Sequence, residues 1–414
     1  MSLSIKTVTA VSKKIGHSKH LEMLNQARID GGTMMMTDLD NWVRLSVAAA
    51  PGMLDREKMQ KTGSLENSMS SADPVDFPNE PEPAGLQTFA DCAIFNCVDF
   101  ASYIPYTESN KSRSCLCNIN HDTEAGMLWA TDGHKAKYIY TADMPLPVSF
   151  SMPTKAAEIL EILKKQAGPV VDCGTFQPEA SDTGIKHKYF YAAGAEYRLT
   201  WKQDSGPLAQ IKKAIPEYKP EYCLAFEPGQ ISHLAAAVSE MNKYANEKTH
   251  MVILDRETIL VRNDQNGYKA TLPFPFMPEI VENHKSGSEY PYCRVGFNAE
   301  YLAMVFKALK DQPITICFPG AALSAHLFKS GTENYILMPL RVIEDLDSDE
   351  PDTVYAAMEY KPIDCPAPEA KAAVRKARRP AAVCECNGNG EGFLPEWSYC
   401  PYCGKTIQHV PAIA

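Results

Sequence analysis

Four cysteines near the C-terminus are the residues best placed for chemistry. Cys384-Glu385-Cys386 and Cys400-Pro401-Tyr402-Cys403 are separated by thirteen residues, and Gly404-Lys405 follow the second pair. Two tight thiolate pairs suit tetrahedral zinc, and a glycine after the second pair lets backbone N–H groups turn toward sulfur. Four sulfur ligands leave no open coordination position, so the expected metal is a structural zinc held by Cys384, Cys386, Cys400 and Cys403. So short a segment has little core of its own, and metal binding would supply much of its stability. One intervening residue in the first pair instead of two keeps a second reading open, that of unliganded cysteines in a loop. A zinc ribbon here would present Phe393, Trp397 and Tyr402, or the basic cluster Lys371, Arg375, Lys376, Arg378 and Arg379, to a partner.

Elsewhere the candidates for chemistry are sparse. Thr131-Asp132-Gly133-His134 sets a carboxylate beside an imidazole, but no nucleophile motif surrounds it. An Asp in such a turn normally caps backbone N–H groups, which makes the segment structural. Acidic residues at the spacing of a catalytic metal cluster are also missing, so an enzyme is not expected. The other nine of the thirteen cysteines are scattered, among them Cys92, Cys97, Cys173, Cys293 and Cys317. In apolar surroundings a reduced cysteine behaves as a small buried hydrophobe.

A chain of 414 residues suggests about three domains. The net charge of -10 argues against a wholly basic nucleic-acid binder. One positive face still suffices to meet phosphate, and an acidic exterior then discourages unproductive contact. No run of 18 apolar residues and no secretory pattern is present, so the expectation is a cytoplasmic protein without a membrane span.

The elements that would position these residues recur along the chain. Val148-Ser149-Phe150 leads into a predicted helix Thr154–Lys165, and 147 residues later Val295-Gly296-Phe297 leads into Ala299–Lys310. Ala156, Ile159, Leu160 and Leu163 in the first, and Leu302, Val305, Phe306 and Leu309 in the second, form one apolar stripe each. Pro153 and Asn298 supply helix starts. Hairpin signals follow at Gly31-Gly32, Asn266-Gly267 and Ser330-Gly331. Two more units start at Gln87, with a helix about Asp91–Ile104, and at Cys223, with a helix about Gln230–Asn242. The middle of the chain thus holds four β-α-β-β-β units paired into two domains. The N-terminal part holds one, with a short helix near Thr9–Lys14 and strands at Arg28–Asp30, Thr33–Thr37 and Trp42–Ala48. Pro51–Gly85, polar and rich in Pro, Ser, Glu and Met, is expected to be a linker or a partly ordered loop, so five units are expected where pairing would require six. Beyond Val342 an acidic run and a Pro/Ala stretch predict another linker.

Together these residues resemble the bacterial DNA sliding clamp, the beta subunit of DNA polymerase III. Ala130-Thr131-Asp132-Gly133-His134-Lys135 is similar to the family's Ala-Thr-Asp-Gly-His-Arg segment. Supporting it are Thr37-Asp38-Leu39-Asp40, Asp76-Phe77-Pro78, Phe297-Asn298 and Tyr335–Val342. The resemblance covers roughly residues 1–343 and implies an α+β DNA clamp fold of repeated β-α-β-β-β units, here with a small C-terminal zinc ribbon. The implied division is a truncated first clamp domain with linker (1–85), a second (86–216), a third (217–343), a linker (344–380) and the ribbon (381–414).

The resemblance further implies a non-enzymatic processivity factor whose groove accepts short apolar peptides from a DNA polymerase, a clamp loader and repair proteins. Carried over, the groove would comprise Leu116, Thr131, Gly133, His134, Lys135, Ala136, Lys213, Ala214, Ile336, Leu337, Met338, Pro339, Leu340 and Arg341. Ala209 and Lys213-Ala214 depart from the family's Pro and Arg-Val, which alters the pocket wall. Double-stranded DNA would meet Lys13, Lys14, Lys19, Lys111, Arg113, Lys164 and Lys165 through phosphate attraction without base readout. The incomplete first domain, and Lys243-Tyr244 where the family has an apolar pair, imply a homo-oligomer whose interface is changed or absent. A clamp-like adaptor or decoy that does not encircle DNA, in a virus or mobile element, is the competing expectation. A tail that continues past Val342 could also shield the groove.

Overall fold

The computed structural model describes residues 2–109, 116–178, 187–203, 215, 222–245, 250–255, 258–263, 268–273, 279–283, 295–318, 324–340, 381–383 and 408–410. Chain contacts divide the molecule into Met1–Asp347 and Ser348–Ala414.

In the first part, short helices back antiparallel sheets. The helices are α1 (Ile5–Ile15), α2 (Arg56–Thr62), α3 (Ala93–Cys97), α4 (Thr154–Ala167), α5 (Pro228–Asn242) and α6 (Ala299–Ala308). Each long one buries the stripe its periodicity announces, such as Ala156, Ile159, Leu160 and Leu163 in α4 and Leu302, Val305 and Phe306 in α6. Asn298 caps α6 by accepting from the N–H groups of Glu300 and Tyr301 at 2.9 and 3.2 Å. The predicted helix over 91–104 is broken instead. α3 stops at Cys97, and Asp99 opens a separate 3-10 segment, Phe100–Tyr106, by accepting from Ala101 N–H at 3.1 Å. The Glu161 carboxylate from α4 holds the junction through Phe100 N–H at 2.9 Å.

The units interlock in pairs. After their helices, five units lay down a three-stranded meander, and a unit's leading strand, where it has one, pairs with the meander of its neighbour. Thus Gln87–Phe89 pairs with Asp172–Phe176, and Phe150–Pro153 pairs with Asn118–Asp122. Tyr222–Phe226 with Ile314–Phe318, and Val295–Asn298 with Met251–Asp255, repeat the pattern. Meanders then join edge to edge. Asn41–Ser46 pairs with Tyr197–Lys202, and Lys135–Tyr140 with Glu333–Leu337, giving two nine-stranded sheets that run across the expected domain boundaries. A third sheet of four strands ends at Tyr268–Pro273. The two joints bury apolar residues on both faces, with a main core on the helix side and separate clusters on the outer side.

Pro51–Gly85 is not the linker expected from its composition. Gly52–Asp55 forms a strand on Gln26–Asp30, α2 follows, and Met69–Ser70 adds a two-residue strand. Asp55 caps α2 at Lys58 N–H, and Gly63, left-handed at φ 64, ends it. A leading strand and helix of a sixth unit are therefore present, while its meander is absent among the described residues. Polar residues dominate the segment because it packs through few positions, namely Met53, Leu54, Met59 and Phe77. The N-terminal helix is likewise longer than predicted, with Ser4 capping at Thr7 N–H. The last strand is shorter. Pro339 lacks an N–H, so the ladder ends just before it, and Leu340 instead makes an isolated bridge to Gly296 of another sheet. Among the cysteines expected inside, Cys92, Cys173 and Cys317 are buried but Cys97 is exposed. Cys293 lies outside the described residues.

In Ser348–Ala414 the described residues are Ala381–Val383 and Gln408–Val410, paired antiparallel. Cys384, Cys386, Cys400 and Cys403 fall between them and outside the described residues.

One charged group holds the N-terminal module. Arg56, fully buried, donates to Leu24 O at 2.5 Å, to Ser12 O and Gly16 O at 2.7 Å each, and to Ser12 Oγ at 3.2 Å. It closes the C-terminal end of α1, where carbonyls lack helical partners and the helix dipole favours a cation. Burial pulls its pKa down to about 10, which keeps it charged at neutral pH. Replacing Arg56 by Met strands these carbonyls, and urea denaturation is expected to show a loss of about 2–4 kcal/mol. A loss below roughly 1 kcal/mol would contradict this role.

Candidate functional site

The two sheet joints are built on one plan. At the first, the Thr37 hydroxyl accepts from Leu39 N–H at 2.9 Å, and Asp38 Oδ1 accepts from Asp40 and Asn41 N–H at 3.3 and 2.8 Å. At the second, the Thr131 hydroxyl accepts from Gly133 N–H at 3.0 Å, and Asp132 Oδ1 accepts from His134 and Lys135 N–H at 2.8 and 2.9 Å. Across the joints, Lys202 N–H donates to Asp40 O and Met338 N–H donates to His134 O, both at 2.8 Å. The registers agree as well. Asn41 faces Trp201 and Trp42 faces Thr200, as Lys135 faces Leu337 and Ala136 faces Ile336. Asp132 thus has the capping role expected of it, and His134 is exposed at the turn.

Matching the joints position by position shows how their outer faces differ. On the outer face of the first, Trp42 packs with Met35, Met53, Phe176, Tyr189 and Tyr191, and Phe77 from the crossing segment fills the cluster. Glu80 of that segment is clamped by Arg44 and by the Thr200 hydroxyl at 2.6 Å. At the second joint, Ala136 stands where Trp42 does, and Gly133 where Leu39 does. The outer cluster there is Met127, Trp129, Ala136, Tyr138 and Ile336, with Ile215 beside it. Tyr140 and Met338 remain 59% and 42% exposed at its border, large apolar surfaces with water on one side. Exposed aromatic and thioether side chains bordering a buried apolar cluster are surfaces against which an apolar side chain can pack.

The joint gathers Thr131, Gly133, His134, Lys135, Ala136, Ile336, Leu337 and Met338, and Pro339 and Leu340 follow directly. Leu116, half-buried, precedes the strand Asn118–Asp122, which lies two strands from Lys135–Tyr140 in the same sheet. Lys213, Ala214 and Arg341 lie outside the described residues. Lys135 is committed to bracing. Its Nζ lies 2.6 Å from Asp132 Oδ2 and 4.1 Å from the Tyr301 ring centroid, tying the turn to α6. Sequence reasoning missed Trp129, Tyr138 and Tyr140, although the alternation of Met127–Thr131 and Lys135–Tyr140 could have placed them on one face.

Of the basic candidates, Lys13, Lys14, Lys19 and Lys165 are exposed, and α1 packs against α4. Lys14 pairs with Glu158 at 2.8 Å. Lys164 departs from expectation. Its Nζ is held by Glu161 at 2.6 Å and by the Phe95 and Val98 carbonyls at 2.8 and 2.7 Å, so it belongs to the fold. Lys111 and Arg113 lie outside the described residues. The α5 segment carries no Lys or Arg.

The repeated turn yields a matched pair of expected outcomes. Leu39 holds φ 75, a left-handed conformation costly for a branched residue, where Gly133 holds φ 93 without that cost. Leu39→Gly is expected to stabilise the chain by about 0.5–1 kcal/mol and Gly133→Leu to destabilise it by about 1–2 kcal/mol, read by chemical denaturation. Equal effects of one sign would contradict the equivalence.

No family model and no curated protein matches the sequence. Solved structures do. A DNA polymerase sliding clamp from Pseudomonas aeruginosa superposes with a TM-score of 0.63 at 18% identity, over 83% of this chain and 99% of that one. The DNA polymerase III beta subunit of Thermotoga maritima gives 0.61 at 14% identity over 82% and 98%, and that of Streptococcus pyogenes 0.62 at 12% over 82% and 99%. At such identities the likeness is one of architecture, and in architecture the chain has the fold of the bacterial DNA sliding clamps.

Proposed function

We propose that the chain is a clamp-like tether that holds replication proteins at DNA, binding their apolar peptides at the second joint. The observation that carries this reading is the contrast between two joints of one design, one filled by Trp42 and Phe77 and the other left with Ala136 and exposed Tyr140 and Met338. A DNA polymerase and a clamp loader are the partners implied, double-stranded DNA the surface met by Lys13, Lys14, Lys19 and Lys165, and the cytoplasm of a bacterium or an infected cell the place. No catalysis is assigned. A sliding clamp from Pseudomonas aeruginosa of this fold has been solved bound to griselimycin, which supplies a probe. Fluorescently labelled griselimycin is expected to bind the wild-type chain, and Ala136→Trp, which imports the residue of the closed joint, to weaken binding by about tenfold or more. Unchanged binding in Ala136→Trp would rule out the second joint.

A second reading, a clamp-like adaptor that does not surround DNA, is favoured by the missing meander of the sixth unit. Four described meanders meet in pairs at the two joints, while the meander that ends in Tyr268–Pro273 lies at the edge of its sheet. Primer extension separates the two, since longer products per binding event support the tether and inhibition of a host clamp supports the adaptor.

For the tail we propose a structural zinc on Cys384, Cys386, Cys400 and Cys403. The pairing of Ala381–Val383 with Gln408–Val410, which closes the chain on both sides of these residues, supports it. Elemental analysis of the purified chain is expected to find about one zinc per molecule, lost in Cys400→Ser. A metal-free chain would refute the assignment.

A further inference from the structure

The helix-side face of the second joint contains a charge that its twin lacks. Lys137, with only 3% of its side chain exposed, reaches Glu333 Oε1 at 2.6 Å and the Ser102 hydroxyl at 2.9 Å. Its ammonium stands 4.8 Å from the Tyr103 ring centroid and 5.3 Å from that of Tyr335. The Tyr335 hydroxyl donates to the other Glu333 oxygen at 2.6 Å. At the first joint the matching positions are Val43, Leu199 and Tyr197, all in the apolar core. The helix-side face of an antiparallel joint of this design therefore forms without ions.

Burying an ammonium and a carboxylate is costly, and apolar replacements of similar size are often neutral or stabilising. Directionality is what such a pair adds. The joint is the edge-to-edge contact of two meanders, and sliding one strand by two residues keeps every side chain on its own face. Apolar residues oppose that slip weakly. Glu333 lies diagonal to Lys137, which faces Tyr335. A slip that brings Leu337 opposite Lys137 carries Glu333 about 7 Å farther away and leaves the buried ammonium without its carboxylate, whereas the opposite slip sets Glu333 directly across from Lys137. The register so protected is the one that sets Ile336 opposite Ala136 and brings Met338 N–H to His134 O.

We infer that the Lys137–Glu333 pair, braced by Ser102 and Tyr335, is a positioning device that guards the strand Glu333–Leu337 against the slip that would bring Leu337 opposite Lys137 and part Met338 N–H from His134 O. Its consequence for binding rests on the peptide-site reading above; its consequence for register does not.

The test replaces the pair with the residues of the first joint, Lys137→Val with Glu333→Tyr, in the full chain. Three quantities are read: thermal midpoint, amide exchange over residues 333–340 by mass spectrometry, and affinity for the labelled probe. The double variant is expected to keep its midpoint within a few degrees, to exchange these amides about tenfold faster, and to bind the probe about tenfold more weakly. Ser102→Ala, which removes one brace and no charge, is expected to speed exchange over the same residues by about twofold, and decides the matter should the double variant not fold. Exchange over 333–340 that is unchanged, or raised equally in every strand, overturns the inference. Failure of the wild-type chain to bind the probe refutes the peptide site alone, and exchange still judges the register.

Discussion

Backbone pairing between strands that belong to different units is the constraint on which this molecule depends. Each β-α-β-β-β unit has a meander with a free edge, and a free edge in water invites uncontrolled pairing. Here Asn41–Ser46 is satisfied by Tyr197–Lys202 and Lys135–Tyr140 by Glu333–Leu337. The joints turn separate units into continuous sheets and place the helices on one side. They also create the outer surfaces on which partners are proposed to bind. Where a meander is missing, after α2, the remaining strand and helix are held by Arg56 and by the segment carrying Phe77 and Glu80.

The joints show how one scaffold yields a closed surface and an open one. Their turns share the same Thr and Asp hydrogen bonds, so the backbone is common and the side chains decide the outcome. Trp42 and Phe77 fill one outer face. On the other, the small Ala136 is buried beside Tyr138, and Tyr140 and Met338 are exposed at the border. On the inner faces the contrast reverses, with Val43 in the first joint and the charged Lys137 in the second. A joint that presents a site requires its register more strictly than one that is merely filled.

Much of this was legible in the residues. The stripes of α4 and α6 and the Gly31-Gly32 and Ser330-Gly331 hairpins appear where periodicity and turn chemistry put them, because local physics and tertiary packing agree there. The segment over 51–85 was misjudged for a physical reason. Its strand and helix bury single residues such as Met53 and Met59 between polar neighbours, so composition resembles that of a loop. The break after Cys97 and the end of the ladder at Leu337 depend on Asp99 and Pro339, single residues that a periodic reading passes over. At the site, the Thr-Asp-Gly-His turn stands out in the sequence, whereas nothing adjacent to Lys137 marks it as buried. Only its tertiary partner Glu333, nearly two hundred residues away, makes it a buried one. For Lys164, the partners on α3 and the 3-10 segment were equally invisible.

The account stands or falls on the continuity of the sheets, and amide hydrogen exchange of the intact chain measures it directly. If the joints are true ladders, amides of 41–46, 197–202, 135–140 and 333–337 exchange as slowly as those of strands inside a unit, such as 127–131 and 189–193. Fast exchange confined to the four joint strands, beside protected neighbours, would mean that the units are separate beads and that no shared outer site exists.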